Sequence, residues 1–102
     1  MTQGGAATPT QPEPAERLAA AVLAVPGVAA LHPGMFGEVG TYLPGRRVAG
    51  IRLTDTAVDV HIVVVFGVPV RATAAAVRAT VGALQPGAAV NVTVEDVAPA
   101  PS

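Results

Sequence analysis

Residues 58 to 70, VDVHIVVVFGVPV, constrain the fold of this chain more than any other stretch. The first half alternates apolar residues with Asp59 and His61, which is the period of a strand with one wet face. The second half is apolar on both sides until Gly67 and Pro69 stop it. A strand this apolar needs a sheet around it and helices beneath it.

The flanking patterns supply both. Pro14 suits the first turn of a helix, Glu16 lies near the positive end of its dipole, and Leu18, Ala21, Val22 and Val25 recur at i, i+3, i+4 and i+7. Pro26-Gly27 ends that helix, Val28 to Leu31 reads as a short strand, and His32-Pro33-Gly34 closes it. Residues 33 to 47 form either an ordered loop or a distorted hairpin, with Phe36 and Tyr42 expected to pin it to the core. Residues 48 to 53 alternate and should pair with 57 to 66 as an antiparallel hairpin across the turn at Asp55. A second helix follows over 69 to 84, with Val70, Ala74, Val77, Val81 and Leu84 on its apolar stripe. The last strand, 89 to 97, alternates again.

The order α-β-β-β-α-β predicts an α/β (α+β) two-layer sandwich. Two helices cover one face of a mixed or antiparallel sheet. The inner face takes Ile51, Leu53, Val58, Val60, Ile62, Val64, Phe66, Val90, Val92 and Val94. Aromatics are only 3% of the chain, so this core is aliphatic. Residues 1–13 and 98–102 lack periodicity and read as disordered tails around a domain spanning 14–97.

The outer face carries Arg52, Asp59, His61, Val63, Val65, Asn91, Thr93 and Glu95. The chain's own helices do not cover it. Val63 and Val65 make a small apolar patch there. They are ordinary strand valines, or a contact for another copy or a different protein, or the seat of a loop such as 33–47.

Reactive constellations are not visible. Asp59 and His61 share a strand face, but catalysis needs a nucleophile and a pocket, and a metal needs more ligands. Gly34, Gly37 and Gly40 lead into a strand rather than a helix N-terminus, so they read as turn glycines and not as a phosphate cradle. Thr73, Thr80 and Tyr42 have no base in the same motif. Cysteine is absent, which removes disulfides and thiolate chemistry. No catalytic residue, cofactor or metal is expected. Arg46 and Arg47 after Pro44-Gly45, with Arg52 nearby, form the one candidate anion clamp, and a small-anion or nucleic-acid module is the alternative function. The net charge of −1 argues against nucleic acid. The first residues lack the basic and apolar regions of a signal peptide, and no apolar run approaches the ~20 residues of a membrane helix. A cytoplasmic location follows, with any membrane association supplied by a partner.

Five segments together carry a family likeness: VPGVAALHPG, FGEVGTYLPGRRVAGIRL, VDVHIVVVFGVPV, AAAVRATVGAL and VNVTVEDV. In this order they resemble the alkaline-shock or general-stress protein family, also called the envelope stress response family, over about residues 17 to 97. The resemblance implies a small non-enzymatic bacterial protein that works through self-association or another protein. It also implies possible gathering at the inner face of the membrane by a separate anchor protein.

Overall fold

The computed structural model describes residues 13–101, so nearly all of the expected N-terminal tail, and Ser102, lie outside the described residues. The elements are α1 (Pro14–Leu23), β1 (Val28–Leu31), β2 (Gly40–Leu43), β3 (Arg46–Ala49), β4 (Ile51–Leu53), β5 (Ala57–Val65), α2 (Val70–Leu84) and β6 (Ala89–Ala98). They form the two-layer sandwich that the order of helices and strands implies, and the sheet is mixed.

β5, the opening stretch, is the central strand. β6 lies parallel to it on one side, joined through α2, as a parallel neighbour requires a crossover connection. The other side is shared end to end by β1 and β4, both antiparallel to β5. Ile51 faces Val60 and Leu53 faces Val58, the register of the expected hairpin. Both helices pack on one face, where Leu18 and Val22 of α1 and Val77 and Val81 of α2 meet Val58, Val60, Ile62 and Val64. Burying each such side chain contributes about 1.5–3 kcal/mol, and this set is the core.

Gly50 breaks the expected 48–53 strand into β3 and β4. Its φ is +84°, and its N–H donates to the carbonyl of Val39 while its carbonyl accepts from the N–H of His61. The residues before it pair with β2 in a separate two-stranded hairpin around Pro44-Gly45, which resolves the 33–47 region in favour of a hairpin preceded by a loop. The Thr41 hydroxyl ties that hairpin to the main sheet: it donates to the Ile51 carbonyl at 2.6 Å and accepts from the Leu53 N–H at 3.0 Å.

Several side chains depart from the expected pattern. Phe66 is 72% exposed rather than part of the inner face, because β5 ends at Val65 and Gly67 turns the chain away at positive φ. Phe36 and Tyr42 are 87% and 80% exposed and pin nothing to the core; Val39, between them, is the buried residue of that region. On α2 the stripe shifts toward Thr73, which is buried with its hydroxyl donating to the Pro69 carbonyl, while Val70 and Leu84 lie half in solvent. α1 stops at Leu23, two residues short of the buried Val25. β6 takes in Ala98, whose carbonyl accepts from the Phe66 N–H, so that residue belongs to the sheet rather than to a tail.

Candidate interaction face

The odd-numbered residues of β5 set the axis of the outer face. Asp59 lies opposite Arg52 of β4 on one side and Asn91 of β6 on the other, and the Asn91 amide donates to the Asp59 carboxylate at 2.9 Å. His61 lies opposite Thr93, with Nδ1 2.5 Å from Oε2 of Glu95, each side chain 19% exposed. A carboxylate only accepts, so Nδ1 carries the proton in this pair. Val63 and Val65 continue the row, half-buried between strands, next to Ala30 of β1 and to Asp96 and Ala98 of β6. All eight residues expected on this face therefore lie on it.

A β-bulge in β6 adds one more. Val94 faces Ile62 and Asp96 faces Val63, leaving Glu95 as the extra residue between them. Two consecutive carboxylates thus share the outer face. Simple alternation would have turned one of them, Asp96, toward the core. The Glu95-Asp96 pair in an apolar-alternating strand was the available signal, since only a bulge keeps both in water.

The loop before β2 covers part of the face. Arg52 donates to the Glu38 carbonyl at 2.7 Å, and Val39 is buried apart from the main core. The Glu38 carboxylate accepts from the Phe36 N–H. Its own N–H first, then that of Phe36, holds it below the usual carboxylate range, with smaller help from His61 and Arg52. This loop screens the His61–Arg52 region and leaves the Val63–Val65 end to its strand neighbours.

The three arginines do not converge. Arg46 and Arg47, adjacent on β3, point to opposite sides of the hairpin. Arg46 grips Glu16 of α1 with Nε at 2.6 Å and Nη2 at 3.0 Å, and this contact lowers the Glu16 pKa and raises that of Arg46. Arg47 lies across Gly40, stacks on Tyr42 at 5.3 Å and donates to the Gly37 carbonyl. Arg47 and Arg52 thus both donate to carbonyls of the loop before β2, Gly37 and Glu38, while Arg46 is held by Glu16, so the three do not gather as one anion clamp. Among the described residues no group of three histidines or carboxylates is placed to hold a metal, and no helix is long and apolar enough to cross a membrane.

A shallow hollow of about 460 Å³ sits where β5 and β6 end, lined by Phe66, Val97, Ala98, Pro99 and Ala100. It holds no polar side chain. Compared with known proteins, the chain matches no family model, no curated protein and no solved structure.

Proposed function

We propose that this chain is a non-catalytic interaction domain of the alkaline-shock, or envelope stress response, type, working in the cytoplasm through its outer sheet face. The support is the half-open face itself. Its polar end is already knitted by the Asp59–Asn91 and His61–Glu95 contacts, and its apolar end presents Val63, Val65, Ala30 and Ala98. Side chains held in place before contact lose little rotamer freedom on binding, which favours recognition by a flat surface of modest size. The sequence segments that resemble the stress family supply the cellular role, including attachment to the envelope through an anchoring partner.

A photoactivatable side chain at Val63 or Val65, tested in cells under alkaline stress, examines this directly. Covalent adducts with one defined envelope-associated protein or with a second copy are expected, and none from a control position at Arg71 on α2. Adduct-free chain from both outer-face positions rejects the reading.

A further inference from the structure

We propose that β6 is completed by the β6 of a second copy, running antiparallel to it about a two-fold axis through Val92. The inference concerns the edge of the sheet rather than its outer face, and rests on the reading above only for the premise that the chain works through contact with another protein.

Among the described residues β6 pairs with β5 alone, so one side of a ten-residue strand is unpaired. The Ala89 N–H donates to the Thr56 carbonyl on the β5 side. Alternation along the ladder then turns the main-chain groups of Val90, Val92 and Val94 outward, away from β5. These are the groups a further strand must meet. Their side chains point to the inner face yet are only half-buried, whereas their register partners Val58, Val60 and Ile62 are fully buried. The core is therefore open along this edge.

The sequence of the edge complements itself. With Val92 opposite Val92, Val90 falls opposite Val94, and about six main-chain hydrogen bonds form. On the outer face Asn91 meets Thr93, and Glu95 falls opposite Ala89, so no like charges confront each other across the joint. A two-fold of this kind keeps both helical layers on the same side and makes one continuous sheet. Strand addition of this type is a common recognition mode, and an exposed regular edge is its template. The opposite edge offers no equivalent, being two short strands interrupted at Gly50. A strand-only joint buries less than the ~1,200 Å² of a standard stable interface, so the association is concentration-dependent.

Light scattering on the full chain across a concentration series tests this. The expected mass rises from 10.1 kDa to twice that value. Val92→Pro removes an outward N–H without touching the β5 ladder, and it should hold the mass at one chain with the circular dichroism unchanged. Asn91→Lys with Thr93→Lys sets like charges opposite each other and should weaken association at least about tenfold. Asn91→Lys with Thr93→Glu should restore it, which keeps the test decisive if the proline variant does not fold. A chain that stays monomeric at every concentration overturns the edge pairing and leaves the Val63 cross-linking result to judge the face. Association that survives the double lysine variant but is lost in Val63→Lys places the contact on the sheet face and overturns the proposal equally.

Discussion

Gly50 and Leu31 meet where two strands share one side of β5. A Cβ added to Gly50 would lie 2.8 Å from the Cβ of Leu31 and 3.0 Å from the His32 nitrogen. This position admits no side chain, and the positive φ forbids one independently. Gly50→Ala is expected to cost more than the ~1–2 kcal/mol of left-handed backbone alone. Gly82→Ala on α2, where a Cβ meets nothing within 4 Å, should instead stabilise by about 0.5–1 kcal/mol. Urea unfolding of both variants checks the opposite signs.

Thr41 holds the hairpin to the main sheet through one hydroxyl that both donates and accepts. Thr41→Val keeps the shape and strands the Ile51 carbonyl and the Leu53 N–H, at a cost of about 1–3 kcal/mol. Thr41→Ser should recover most of it. Faster hydrogen exchange at Leu53 in the valine variant alone would locate the effect.

The acid side of the stability curve should depend on Glu16 and Glu38. Both are held below the ordinary carboxylate value of 4.5, Glu16 mainly by the Arg46 guanidinium and Glu38 mainly by main-chain N–H groups. A pKa lowered on folding contributes stability that is fully present above the unfolded value. That stability is lost as the pH falls through the lower folded value. Melting temperature should therefore drop below about pH 4.5, and Glu16→Gln should flatten part of that drop while leaving the slope between pH 6 and 8 unchanged. An identical acid limb in wild type and variant counts against the Glu16–Arg46 contact.

Ile62 and Phe66 lie four residues apart on the same apolar stretch, one fully buried and one in solvent. Ile62→Ala should cost about 2–5 kcal/mol and Phe66→Ala within about 0.5 kcal/mol of zero. Chemical denaturation of the pair separates the core from its apparent continuation.

The layered fold was readable because its signals are long and periodic. Nine residues of β5 and the stripes of two helices leave one arrangement that buries them all. The parallel placement of β6 was also available, since a strand, a helix and a strand in succession favour it. Irregular backbone was harder to read. The alternation of 48–53 runs straight through Gly50, and only the contact with Leu31 and His32, distant in sequence, explains the break. Phe36, Tyr42 and Phe66 looked like core because they are large and apolar, yet Phe36 and Phe66 sit in turns that carry them into water and Tyr42 lies exposed on the β2–β3 hairpin beside Arg47. Eight residues of the outer face were legible from alternation, whereas Asp96, which the bulge adds, and the fates of Arg46, Arg47 and Arg52 were not. The arginines' partners Glu16, Gly37 and Glu38 come from other elements, and no local pattern announces them.

The extra residue at Glu95 limits how this protein can grow. An incoming strand finds straight backbone only as far as Val94 and must then bend away, and on the far flank it finds two fragments too brief to hold it. One insertion in one strand thus keeps a carboxylate wet and also breaks the straight border that, left flat, would offer a template for fibre-like stacking.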